Sequence, residues 1–280
     1  MALVDQYVDS QVSVITLANG AHGNLLSPEG LAELAAAFDR SLGDPGVRAV
    51  LLRSNGPAFC LGMDLARLAA HSAPGAVTDA EIEVDRFADV LQTIYSAPLP
   101  VVCLVDGEAK AGGVGLAVAC DIIVAADHAT FELGEVIFGL IPANVLPLLT
   151  LRVAPQKARS LVLSSRRITA HEALHLDLVD EVVPTGDAER RVREVFKRLL
   201  CSSPRALAAA KEFTAELIGM TPLQGSARAR QRLVEMMHDP QTAAGVNAFQ
   251  DGHTPSWFSR FRPSRPLALA TAREKQEGGQ

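Results

Sequence analysis

The stretch AKAGGVGLAVACD, Ala109 to Asp121, follows the apolar run PLPVVCLVDG and carries no charge between Lys110 and Asp121. Glycine gathered just after a strand lets the backbone come close to a ligand or to a neighbouring element, so the reading of this stretch decides the architecture. Phosphate is the first ligand to test. A dinucleotide fingerprint needs G-x-G-x-x-G, but Gly113 and Gly115 are followed by Val118 where the third glycine belongs. No Gly-Lys-Ser/Thr follows either, which excludes a nucleotide P-loop. From this stretch alone two readings stay open: backbone approach to a ligand other than phosphate, or tight burial of a helix against a sheet.

The chain of 280 residues is long enough for one large domain, or a core domain with an appendage, and for a substantial core. Apolar residues make up 48% and charged residues 21%, ordinary for a soluble globular protein. A formal charge of -6 gives no long-range attraction to nucleic acid or to an anionic membrane. The N-terminus, MALVDQYVDSQ, lacks the basic region of a signal peptide. The longest uncharged run, Val136 to Leu151, is short for a membrane span and is interrupted by Pro142 and Pro147. Cys60, Cys103, Cys120 and Cys201 show no C-x-x-C spacing and the first three sit among apolar residues, as reduced core thiols do. A soluble, cytoplasmic protein is expected.

Short β-branched runs read as buried strands: VSVITLA from Val12, VRAVLLR from Val47, PVVCLV from Pro100 and DIIVAA from Asp121. Between the first two, SPEGLAELAAAFDRSL places Leu31, Leu34, Ala35, Phe38 and Leu42 on one helical face, with Ser27 as N-cap and Pro28 in the first turn. The first half is therefore α/β. After Ala154 only LVDEVVP reads as strand, and helices are predicted over Ala188–Leu200, Pro204–Ile218 and Leu223–Met237. The expected layout is an α/β core over 1–200, a helical region over 201–258 suited to packing on a neighbouring subunit, and a poorly ordered tail over 259–280.

His171-Glu172-Ala173-Leu174-His175 matches H-E-x-x-H, which on a helix sets two histidines one turn apart for zinc with a glutamate as base. Thr169 and Glu172, however, form a T-x-x-E capping box that would commit the glutamate to backbone N–H groups. No G-x-S-x-G elbow occurs, so the usual α/β-hydrolase serine signature is absent.

Taken with PAFCLGMDLARL (Pro57–Leu68), TFELGEVIFGLIPANVLP (Thr130–Pro147) and ITAHEALHLDLVDEVVP (Ile168–Pro184), the glycine stretch resembles the crotonase, or enoyl-CoA hydratase/isomerase, superfamily over roughly Val12 to Pro184. The resemblance implies a ββα spiral core with a C-terminal helical trimerisation region, a homotrimer or hexamer, and no cofactor beyond the pantetheine that carries the substrate. It also implies that the backbone N–H groups of Met63 and Gly112 form an oxyanion hole for a thioester enolate, helped by the helix N-termini beyond them. Hydratases of the family use two glutamates, which correspond here to Gly115 and Glu135. The first carboxylate is thus absent and Glu135 remains as the single acid/base group, in an apolar setting that should raise its pKa.

AKAGG and GLIPANVLP further resemble the dehydratases of polyketide β-branching cassettes, which convert 3-hydroxy-3-methylglutaryl on an acyl carrier protein to 3-methylglutaconyl thioester. That resemblance implies a carrier-bound or CoA thioester as partner and substrate, with Lys110 and Asn144 as candidates to meet the extra carboxylate. Arg67 is a candidate for a pantetheine phosphate. His71 to Glu81 suits a lid at the acyl entrance, and Arg260, Arg262 and Arg265 could meet an acidic carrier. Rival readings are an isomerase or decarboxylase of the same superfamily, a scaffold that has lost turnover, and the zinc peptidase suggested by HEALH.

Overall fold

The computed structural model describes residues 2–64 and 77–268. Ten strands form two sheets among these residues. β1 (Val4–Asp9) and β2 (Val12–Leu17) form an antiparallel hairpin. Its two-residue turn, Ser10-Gln11, has φ of 50° and 69°, the left-handed pair that matches the twist of the flanking strands. β3 (Ala49–Ser54), β5 (Val101–Val105), β7 (Ile122–Ala126) and β10 (Glu181–Val183) extend the sheet in parallel, in the order β1-β2-β3-β5-β7-β10. The four predicted runs are β2, β3, β5 and β7. They read as continuous apolar segments because this sheet is covered on both faces.

The second sheet, ordered β4-β6-β8-β9, is made of β4 (Ala58–Cys60), β6 (Glu108–Lys110), β8 (Thr130–Glu132) and β9 (Ile168–Thr169). Chain order alternates between the sheets, so each turn of the spiral adds a long strand, a short strand and then a helix. β3 and β4 precede α2 (Val77–Ser96), and β5 and β6 precede α3 (Gly112–Val118). β7 and β8 precede α4 (Leu146–Arg152) and α5 (Pro155–Ser164). The ββα spiral expected from the sequence is the architecture found. Corners between the sheets are tight: at Gly107, φ 134°, an added Cβ would stand 2.4 Å from the Pro57 carbonyl oxygen.

Two buried layers flank the large sheet. One lies between the sheets and under α1 (Pro28–Gly43), where Ile15, Leu34, Phe38, Leu52, Phe59 and Phe131 are enclosed. As the sequence suggested, Ser27 Oγ accepts from the Gly30 N–H at 3.1 Å and Pro28 occupies the first turn. The opposite face, with Val14, Leu51, Val102 and Leu104, is covered by Val192, Val195 and Phe196 of α7 (Ala188–Leu199) and by Phe261 and Leu267.

This second layer corrects the tail boundary. Residues 259–268, expected in a poorly ordered tail, pack on the sheet. The Phe261 and Phe196 ring centroids are 5.5 Å apart, Ser264 N–H and Oγ donate to Asp9 at 2.7 and 2.9 Å, and Arg53 donates to the Pro266 and Leu267 carbonyls.

Helices α8 (Pro204–Glu216), α9 (Pro222–Met237) and α10 (Pro240–Gln250) follow the core, each opened by proline behind a Ser203, Thr221 or Asp239 cap. They keep Leu223, Leu233, Met237 and Phe249 exposed. Lys211 of α8 anchors them, donating to Asp121 at 2.7 Å and to the Leu99 carbonyl at 3.0 Å. Among the described residues no helix is long and apolar enough to cross a membrane.

Candidate active site

Three parallel short strands bring the candidate residues to one edge. In β4 and β6 Cys60 pairs with Ala109, and in β6 and β8 Ala109 pairs with Phe131. Counting forward by the same number of residues from each member of this row reaches Met63, Gly112 and Gly134, the residue before Glu135. The three loops therefore leave the carboxyl ends of adjacent strands together, where open α/β sheets place ligands.

The first two loops are in close contact. Gly62, φ +83°, carries no Cβ because one would stand 2.9 Å from Ala111 Cβ and 3.2 Å from the Gly112 nitrogen. Met63 forms an isolated parallel bridge with Leu26, whose N–H donates to the Gly62 carbonyl at 2.8 Å. In parallel pairing, Leu26 bonds to the residues on either side of Met63, which leaves the Met63 N–H outside the bridge. Gly112 is the first residue of α3, so its N–H has no acceptor inside the helix. Ala111 before it is held at φ 48°, ψ -116°, a conformation rare for a residue with a side chain.

Tight packing accounts for glycine at several positions of the stretch. Gly113 and Gly115 serve packing. A Cβ at Gly113 would stand 2.1 Å from the Cys60 carbonyl oxygen, and one at Gly115 would stand 2.9 Å from Val145 Cγ2 and 3.2 Å from Phe87 Cζ. Gly112 instead brings backbone to the strand-end edge, where a Cβ would meet Leu26 Cδ1 at 2.8 Å.

Glu135 opens a 3-10 turn over Glu135–Phe138, closed by Gly139 at φ 79°. Its Oε2 is buried with no hydrogen-bond partner among the described residues. Burial pushes the carboxyl pKa up, opposed by a hydrogen bond from its own backbone. The turn around it is apolar and open, with Ile137, Phe138 and Ile141 more than half exposed. A half-buried carboxyl with a raised pKa is a group suited to exchanging a proton with a carbon next to a polarised carbonyl.

The other candidates fall elsewhere. Lys110 lies 3.3 Å from Glu108 and 3.6 Å from Glu132, in an ion cluster completed by Arg167. Strand alternation and the Lys110–Glu132 pairing put these side chains on one face of the small sheet, where the ammonium is paired with carboxylates of the protein. Asn144 donates to the Val84 carbonyl at 3.0 Å, tying the loop beyond Glu135 to α2. Arg67, and the part of His71 to Glu81 that precedes α2, lie outside the described residues. Arg260, Arg262 and Arg265 are exposed on the packed 259–268 segment.

HEALH forms most of α6 (Ala170–His175). The capping box is present, and Glu172 also accepts from Arg166 at 2.8 Å; these bonds, the Thr169 N–H first, hold its carboxyl below the usual range. The carboxylate that would serve as peptidase base is thus occupied. No group of three or more metal-ligating side chains is assembled among the described residues.

Sequence reasoning missed Phe87 and Val145, the two nearest apolar neighbours of Gly115. Both belong to segments distant from Gly115 in the chain, and the contact between them is not encoded in the local sequence.

The family model for enoyl-CoA hydratase/isomerase matches residues 8–260. Carnitinyl-CoA dehydratase of Salmonella arizonae is 32% identical over 231 residues, covering 80% of this chain and 86% of its own. The crystal structure of an enoyl-CoA hydratase from Mycobacterium smegmatis superposes with a TM-score of 0.85 at 29% identity, over 92% of this chain and 99% of that one. An enoyl-CoA hydratase/isomerase from Marinobacter aquaeolei gives 0.85 at 25% identity, over 92% and 100%. Spiral fold, strand-end edge and these matches agree: the chain belongs to the enoyl-CoA hydratase/isomerase family.

Proposed function

We propose that the protein is a dehydratase of 3-hydroxyacyl thioesters that works with a single carboxylate, and that its substrate is 3-hydroxy-3-methylglutaryl carried on an acyl carrier protein. The observation that carries the single-carboxylate reading is the space at Gly115, filled by Val145 and Phe87, with the unpartnered Oε2 of Glu135 as the acid of the site. The relative named carnitinyl-CoA dehydratase supports loss of water as the reaction.

In this reading the Met63 and Gly112 N–H groups donate to the thioester oxygen and stabilise it as negative charge builds up. Glu135 removes the proton from C2. The pair of electrons moves into the enolate, and collapse of the enolate expels the C3 hydroxyl, which takes the same proton from Glu135 and leaves as water. One acid can serve both transfers when the proton and the hydroxyl lie on the same face. A raised pKa suits a group that must give back the proton it takes. The reading calls on no cofactor. Exposed Leu223, Leu233, Met237 and Phe249 support assembly through α9 and α10 into a trimer or hexamer.

The test is to present the 3-hydroxy-3-methylglutaryl group on carrier protein and on CoA and to weigh the acyl product. Loss of one water from the carrier form, faster than from the CoA form, is expected. Equal rates on both overturn the carrier assignment. Loss of carbon dioxide from the 3-methylglutaconyl thioester, or migration of a simple enoyl double bond, in place of dehydration, identifies a decarboxylase or isomerase instead.

A further inference from the structure

The first turn of α3 is held from two sides. Gly113 rests on the Cys60 carbonyl, and the opposite side meets Phe87 of α2, which is 4% exposed. Phe87 Cζ would stand 3.2 Å from a Cβ at Gly112 and 3.2 Å from one at Gly115, so one ring edge abuts two glycines a helical turn apart. One turn earlier on α2, the Val84 carbonyl accepts from Asn144 at 3.0 Å. Val145, beside Asn144, closes on the Gly115 position at 2.9 Å. A single helix therefore contacts both the turn that presents the Gly112 N–H and the segment that follows Glu135.

We propose that Phe87 is a positioning residue: its ring fixes the Gly112 N–H relative to the Glu135 carboxyl and so sets how strongly a bound thioester carbonyl is polarised. The proposal rests on the reading of Gly112 as an oxyanion donor given above. Two consecutive glycines have soft dihedrals and no side chains to locate them, so their place is set by what packs on them. The Ala111 backbone at φ 48° adds strain that persists only where the surroundings over-determine it. A displacement of about 1 Å takes a hydrogen bond out of range and costs roughly a hundredfold in rate.

The probe is butyryl-CoA labelled with carbon-13 at the thioester carbonyl, which has no hydroxyl to lose, read by isotope-edited infrared difference spectroscopy. In the wild type the carbonyl stretch is expected to fall on binding. Phe87→Ala should lose most of that fall and about a hundredfold in kcat on the 3-hydroxyacyl thioester, with KM changed by less than about threefold. Phe87→Met, close in volume, should recover most of both. Ile94→Ala, two turns further along α2 and fully buried, should lower the melting temperature and leave the carbonyl shift in place. If Phe87→Ala does not fold, Phe87→Leu is read by the same criteria.

A wild-type shift and kcat in Phe87→Ala, or in Phe87→Leu where that replaces it, overturn the proposal, as does an equal loss of shift in Ile94→Ala. A wild type that binds the probe with no carbonyl shift overturns the oxyanion reading itself, and the Phe87 proposal with it.

Discussion

A Cβ at Gly115 would stand 2.9 Å from Val145 Cγ2, so the two residues occupy one space between them. Gly115 leaves room for the valine, and the valine, 2% exposed, excludes water from the face of α3 nearest the Gly112 turn. The absence of a side chain at position 115 is therefore built into the packing.

Gly115→Glu should not restore a second acid. The added side chain meets Val145, Phe87 and Leu91, and both overpacking and an unpaired buried charge are unfavourable. The expected outcome is a loss of about 1–3 kcal/mol from overpacking alone, read by urea unfolding. Val145→Gly in the same chain should recover part of it. Equal stability of Gly115→Glu and wild type would show that the space is open.

Glu135→Gln keeps shape and removes the proton acceptor. Turnover should fall by about a hundredfold to ten-thousandfold while the circular dichroism spectrum is unchanged. Because burial raises the folded pKa above the unfolded one, the ionised carboxyl is the disfavoured form in the native state. Its stabilising contribution is present below the unfolded pKa and lost as pH rises through the folded pKa. The variant should thus match or exceed wild-type stability at neutral pH, with the difference closing in acid. The acid limb of the pH–rate profile should lie above the ordinary glutamate range. A limb at or below that range would remove Glu135 as the base.

Lys211→Met leaves Asp121 without its ammonium partner at the joint between α8 and the core. Desolvation raises the Asp121 pKa even with Lys211 present, and its removal should raise it further. An expected loss of about 1–3 kcal/mol at neutral pH follows from leaving a part-buried carboxylate under-satisfied. The loss should shrink as Asp121 protonates, so melting temperatures of variant and wild type converge toward acid. A pH-independent gap would place the cost in packing and not in charge.

The long parallel strands were legible because a sheet covered on both faces makes unbroken apolar runs such as VVCLV. β1 was not read, since VDQYVD mixes charge and β-branching on an edge. β4, β6 and β8 span three residues each, too few to show a period. Met63, Gly112 and Glu135 came from motif resemblance, and the register of those unread strands is what gathers them. Lys110 shows the limit: its engagement depends on pairing with Glu132, which only the sheet reveals. Phe87, Gly115 and Val145 lie on successive turns of the spiral, and no local pattern links them.

The segment after Trp257 offers the last prediction. Its anchors, Phe261 and Leu267, are separated by polar and proline residues, so the sequence lacks periodicity although both side chains are buried. Phe261 stacks obliquely on Phe196, in the buried layer that includes Val14, Leu51, Val102 and Leu104. Truncating it opens a cavity over the sheet, while α7 stays pinned by Glu189, whose carboxylate accepts from the Leu267 and Ala268 N–H groups. Phe261→Ala should therefore cost about 3–5 kcal/mol, as for other buried phenylalanines. Because this layer lies on the face of the large sheet away from the strand-end edge, kcat of the surviving native protein should change by less than about threefold. Urea unfolding with kinetics at a temperature well below the transition measures both, and a stability loss under ~1 kcal/mol would return the segment to the status of a loose tail.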